Sequence, residues 1–99
     1  MIGYKERIDK RQELLEEVYV YYFENEGGKF TATERYEESA ENRLAYRHLA
    51  DCNYIKLVVN EEKRGLPPTI TVAITHYGID KVEVEGLRKQ AEAARQHHL

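Results

Sequence analysis

Apolar residues in the first quarter of the chain recur at helical spacing. Ile8, Leu15, Val18, Tyr19 and Tyr22 fall at intervals of three, four and seven, which predicts one helix over about Lys5 to Asn25. Val18 through Phe23 is a β-branched and aromatic run with strand propensity. Helix is the better reading, because the charged first half has no strand character and a continuous helix buries both halves on one stripe. Gly27 and Gly28 end it, since glycine accepts the left-handed C-cap geometry. Lys29, Phe30 and Thr31 then suit a very short strand. A second, short helix starts within Thr31-Ala32-Thr33-Glu34, with Thr31 or Thr33 as its cap. Ser39 is the expected cap of a third helix that turns Leu44, Ala45, Leu49 and Cys52 inward and ends at Asn53, a residue that tolerates the left-handed conformation.

The clearest pattern follows. Ile55, Leu57 and Val59 alternate with Lys56 and Val58, while Ile70, Val72 and Ile74 alternate with Thr69, Thr71 and Ala73, giving two strands that each have one face made for a core. Asn60 through Pro68 is a polar nine-residue connection with Gly65, Pro67 and Pro68, too long for a tight turn and suited to a projecting loop. Thr75 is placed to cap a last helix on Ile79, Val82, Leu87, Ala91 and Ala94. Gly86 either kinks that helix or breaks it, leaving Arg88 to Leu99 as a separate or frayed segment.

Composition narrows the class. At 99 residues, 41% hydrophobic and 33% charged, the chain is expected to form one ordered domain, with a core at about 5–86 and a helical extension at 87–99. No run reaches the roughly 18 apolar residues of a membrane span, and the charged start differs from a signal peptide, so a cytoplasmic location is expected. The single Cys52 makes no internal disulfide, in keeping with a reducing compartment. The net charge of −3 is unevenly spread. Residues 13–41 hold nine acids against Lys29 and Arg35, whereas residues 43–64 hold five bases against three acids. The bases therefore collect on the third helix and the hairpin loop.

Two local patterns carry a family resemblance. Leu49-x-x-x-Asn53-Tyr54-Ile55 resembles the junction at the end of the third helix of winged-helix domains, and Ile74-Thr75-x-x-Gly78-Ile79 resembles the entry to their last helix. The order helix, strand, helix, helix, strand, loop, strand, helix is similar to that superfamily over residues 5 to 86. The resemblance implies an α+β winged helix of the small prokaryotic regulator type, acting in transcription by sequence-specific binding of double-stranded DNA. Its third helix would enter the major groove and its wing would lie over the backbone. Asn42, Arg43, Tyr46 and Arg47 would be the exposed third-helix positions, with Lys63 and Arg64 at the wing tip. Arginine can pair bidentately with guanine, asparagine with adenine, and a basic loop tip with phosphate. The same Arg43 and Arg47 can instead pair with Glu38, Glu41 or Asp51 as a solvated face.

Other chemistry has less behind it. His48 and Cys52 lie one helical turn apart, with His76 as a third candidate ligand, but a cysteine is more often a small apolar residue and neither a metal nor a cofactor is expected. Nothing near Cys52 points to a lowered thiol pKa. Tyr19, Tyr21 and Tyr22 read as packing in the core or at a subunit interface. There is no Gly-x-Ser-x-Gly, glycine-rich phosphate loop or His-Glu-x-x-His, and an enzyme is not expected. Two functions follow: a DNA-binding regulator that forms a homodimer through its first and last helices (Ile8, Leu15, Tyr22; Leu87, Ala91, Ala94), or an interaction module that docks on another protein and binds no DNA, for which the acidic first half is suited.

Overall fold

The computed structural model describes residues 3–60, 65 and 68–96. In chain order it contains α1 (Tyr4–Glu24), β1 (Phe30–Thr31), α2 (Thr33–Glu38), α3 (Ala40–Asp51), β2 (Ile55–Asn60), β3 (Thr69–Ile74) and α4 (His76–Gln96). Among the described residues these form an α+β arrangement of four helices and one antiparallel sheet, with strand order β1-β3-β2.

The sheet explains the alternation read from the sequence. Ile55 pairs with Ile74, Leu57 with Val72 and Val59 with Ile70, so the apolar set of each strand meets the other's on one face. Ile55, Ile70, Val72 and Ile74 are buried there, while Val59, farther along β2, is 48% exposed. β1 adds Phe30 opposite Val72 and Thr31 opposite Thr71.

α1 is continuous through the β-prone run and buries Leu14, Leu15 and Val18. Ile8 departs from the expected stripe and is 42% exposed, because the first turns of α1 extend past the core. The helix ends at Glu24 with Asn25 as its C-cap, and the left-handed residue that follows first is Glu26 (φ 51°) in place of the expected glycine; Gly27, at φ 83°, comes next and donates its N–H to the Tyr22 carbonyl. Neither threonine caps α2. Ala32 is its N-cap residue, and Thr33 Oγ1 instead accepts from the N–H of Ile70, fixing the helix to β3.

In α3 the inward stripe is Asn42, Ala45, Tyr46 and Leu49. Leu44 (63% exposed) and Cys52 (exposed), expected inside, lie outside instead. Ser39 does cap this helix, accepting from the N–H of Asn42 at 3.1 Å. Asn53 adopts φ 63°, the left-handed conformation expected of it. α4 passes through Gly86 without a break. Only its first half packs: Ile79 and Val82 touch the core, and the side chains from Leu87 to Arg95 are all exposed.

Two junctions lock together. The Tyr54 N–H donates to the Leu49 carbonyl, the Thr75 N–H donates to the Tyr54 carbonyl at 3.0 Å, and Thr75 Oγ1 donates to the Asn53 carbonyl while accepting from the Gly78 N–H. A Cβ on Gly78 would stand 2.2 Å from the Tyr54 carbonyl oxygen and 2.7 Å from Ile74 Cγ1. The nearest atom is backbone held by the sheet, so it has no room to yield. Gly78→Ala is therefore expected to destabilise the protein by about 3 kcal/mol, measured by urea unfolding. A loss below about 0.5 kcal/mol would show that the contact is not tight.

Tyr46 is fully buried, and its hydroxyl has no hydrogen-bond partner among the described residues. Burial first, then the neighbouring Glu17, pushes its pKa up to about 12. An ionisable group that stays neutral when folded adds stability below its unfolded pKa of about 10, and that stability is lost as pH rises through the interval to about 12. Tyr46→Phe is expected to leave neutral-pH stability unchanged or raise it by up to about 1 kcal/mol, and to flatten the alkaline loss. A drop of about 1 kcal/mol or more at neutral pH contradicts this account of the hydroxyl.

Candidate functional site

The outer side of α3 carries Glu41, Arg43, Leu44, Arg47, His48 and Asp51. Part of it faces α1 across an open groove of about 480 Å³, to which α1 contributes Arg7, Lys10 and Arg11 and α3 contributes Arg47 and His48. Glu41 and Asp51 stand in the same groove and divide its positive charge. Lys10 is held by Glu13 at 3.0 Å, and Arg47 Nη2 lies 3.2 Å from the Tyr36 hydroxyl, which orients its guanidinium without neutralising it. Arg43, one turn earlier, takes part in none of the ion pairs found among the described residues. Among the described residues neither Arg43 nor Arg47 forms an ion pair with Glu38, Glu41 or Asp51.

Two of the six expected site residues are elsewhere. Asn42 is 2% exposed: its Nδ2 donates to the Arg35 carbonyl at 2.7 Å and to Glu38 Oε2 at 3.3 Å, tying the end of α2 to the start of α3. Tyr46 lies inside against Tyr36, with ring centroids 6.2 Å apart. An amide and a phenol are polar, which is the ground for expecting both outside. Yet positions 42, 45, 46 and 49 share one face, and that face is the one turned to the core. Lys63 and Arg64 lie outside the described residues.

Arg7, Lys10 and Arg11 escape the sequence reading as companions of α3, although a signal is present. They sit at i, i+3 and i+4, which places three cations on one helical face. Only the packing of α1 beside α3 brings that face to the groove.

A second basic centre is structural. Arg35 of α2 donates Nε to Glu17 at 3.1 Å and Nη1 to Glu38 at 3.0 Å, while Nη2 reaches both Glu17 and Glu13. Three carboxylates from α1 and α2 thus converge on one guanidinium, which offers several donors in a planar fork. Glu13 is held below the ordinary carboxylate range, first by its hydrogen bond from Lys10 and also by the charge of Arg35.

His48 and Cys52 line a smaller cleft among α1, α3 and α4, with Arg11, Lys81 and Glu85 at its rim. Its volume of about 180 Å³ is below the roughly 300 Å³ at which pockets hold typical ligands. Among the described residues no group of three or more His, Cys, Asp and Glu side chains is arranged to hold a metal ion. Among them, too, no helix is long and apolar enough to cross a membrane. Comparisons with family models, curated proteins and solved structures found no match to this chain.

The Arg35 cluster has a pH signature. A carboxylate whose folded pKa is lowered gives stability that is complete above its unfolded value and is lost as pH falls. Glu13 owes its lowering first to Lys10 and only in part to Arg35, so Arg35→Ala is expected to reduce stability at pH 7 by about 1 kcal/mol, with a minor part of the gap to the parent lost as pH falls from about 5 to about 3. The check is chemical denaturation across that range. A gap independent of pH would assign the loss to packing of the arginine stem.

Proposed function

We propose that this chain is a winged-helix transcriptional regulator that binds double-stranded DNA as a homodimer, with α3 as the reading helix and the β2–β3 loop as the wing. The observation that carries this reading is the groove in which Arg47 of α3 stands with Arg7 and Arg11 of α1, Arg43 lying half-buried one turn earlier on α3. The arginines on α3 are suited to base edges in a major groove, and those on α1 to the flanking phosphates. Glu41, Asp51 and the net charge of −3 oppose phosphate, so a single copy binds weakly and two copies on a two-fold-symmetric site multiply the contacts. The exposed Lys56 of β2 and the wing residues Lys63 and Arg64 add positive charge from the hairpin.

A second reading has its own support. On the flank of α1, Glu13, Glu16, Glu17 and Glu24 surround Val20, Tyr21 and Phe30 in an open groove of about 470 Å³. This surface fits a basic, partly apolar segment of another protein and serves the interaction-module alternative. Arg35, Lys10 and Lys89 already engage three of those acids, which is why the DNA reading is preferred.

Selection from a genomic DNA library at low and moderate salt tests the proposal. Enrichment of a two-fold-symmetric sequence is expected. Arg47→Ala should then relax preference at one base pair per half-site by about 1 to 3 kcal/mol, and Arg7→Ala should weaken all sequences alike and lower the salt dependence by about one unit. Absence of binding at low salt would reject the reading and turn attention to the acidic groove.

A further inference from the structure

We infer that the projecting half of α4 is a self-pairing seam that takes the same helix of a second copy, parallel and in register. This rests on the homodimeric reading above and specifies its geometry. Val84, Leu87, Ala91 and Ala94 follow one another at steps of three, four and three, the a and d spacing of a two-stranded coiled coil. They form a stripe separate from the Ile79 and Val82 side, which packs on the core. Val84 is 61% exposed and Leu87 66% exposed, and Ala91 and Ala94 lie among the fully exposed turns that follow. A short helical end in water has little stability of its own. Within its own chain, the ion pair of Lys89 with Glu16 at 3.7 Å is the one bond from this end to another element among the described residues. A second α4 supplies the missing apolar cover.

The flanking charges choose both the occupant and its direction. With Val84 and Ala91 at a, Glu83 and Gln90 occupy g, and Arg88 and Arg95 occupy e. A parallel, in-register pair sets each Glu83 against Arg88 of the other copy and each Gln90 against the other copy's Arg95. An antiparallel pair would set arginine against arginine along the e edge. Glu83 Oε2 accepts from the Tyr19 hydroxyl and Arg88 Nη2 donates to Glu85 at 2.8 Å, which leaves the other carboxylate oxygen and the remaining guanidinium donors for the pairing. Small alanines at 91 and 94 permit close approach but bury little area, so the seam is weak and reversible.

The test combines mass with crosslinking. The full chain is expected to show a concentration-dependent dimer by sedimentation, and Leu87→Glu is expected to raise the dissociation constant tenfold or more while leaving the circular dichroism and melting of the monomer unchanged. Glu83→Arg is expected to weaken the dimer, and adding Arg88→Glu to restore it. With Cys52→Ser as background, Val84→Cys and Ala94→Cys, each introduced alone, are expected to give disulfide-linked dimers under mild oxidation, a result that only parallel, in-register pairing allows. A monomeric parent, a Leu87→Glu variant as dimeric as the parent, or no crosslink at either position would overturn the inference. An intact dimer without DNA affinity would reject the regulator reading while upholding the seam, so the two failures are distinguishable.

Discussion

The contact of Gly78 with the Tyr54 carbonyl joins the two halves of the chain. Backbone from the α3–β2 turn and backbone from the start of α4 come so close that a single Cβ is excluded, and Thr75 closes the gap with bonds to Asn53 and Tyr54. Pairing of Ile55 with Ile74 follows from this contact, and with it the register of the whole β2–β3 ladder, because a slip by one residue would turn every apolar side chain outward. The direction in which α4 leaves the sheet is set at the same place. The core at one end of α4 and the exposed stripe at its other end thus depend on one glycine and the threonine three residues before it.

That clasp is legible in the amino-acid sequence as two short motifs far apart along the chain. That they touch is legible only in the fold. The alternating strands, the Ser39 cap and the left-handed Asn53 are equally readable, since each follows from local chemistry that tertiary packing reinforces. The α3 face defeats the same reading, because hydrophobicity alone ranks Leu44 and Cys52 above Asn42 and Tyr46. Asn42 is buried for its bonds to Arg35 and Glu38, which organise the α2–α3 turn, and Tyr46 for the volume of its ring. A polar side chain that satisfies backbone groups can be worth more inside than a leucine, and nothing in a periodicity count registers that. The same blindness hides the α1 cations, whose relevance depends on which helix lies beside them.

Charge is sorted along α1 with structural effect. Its first turns bring Arg7 and Arg11 to the groove beside α3, while its middle presents Glu13 and Glu17 to Arg35. Some of the acids that make the chain negative overall are therefore engaged in holding α2 against α1, while Glu41 and Asp51 remain in the groove with the arginines. Net charge describes this protein poorly, because the field at a given face depends on which groups are already paired. Arg35 fixes α2, Asn42 fixes α3 to α2, and the pose of Arg43 and Arg47 is the sum of these constraints.

α4 extends the reasoning to assembly. Its first half is bound to α1 through Ile79, Val82 and the Tyr19–Glu83 hydrogen bond, so it cannot swing independently of the core. The stripe from Val84 to Ala94 continues from that half along one helix, since α4 passes Gly86 without a break. A glycine in mid-helix costs about 1 kcal/mol relative to alanine, and the helix persists because packing on one side of it holds the backbone in place. If two copies meet along the stripe, the two α3 helices acquire a fixed separation and orientation, transmitted by α4 through Gly78 and Tyr54 to the end of α3. The contact that defines the fold would then also set the spacing at which the two arginine faces present themselves, and a substitution at position 78 would disturb recognition even in molecules that remain folded.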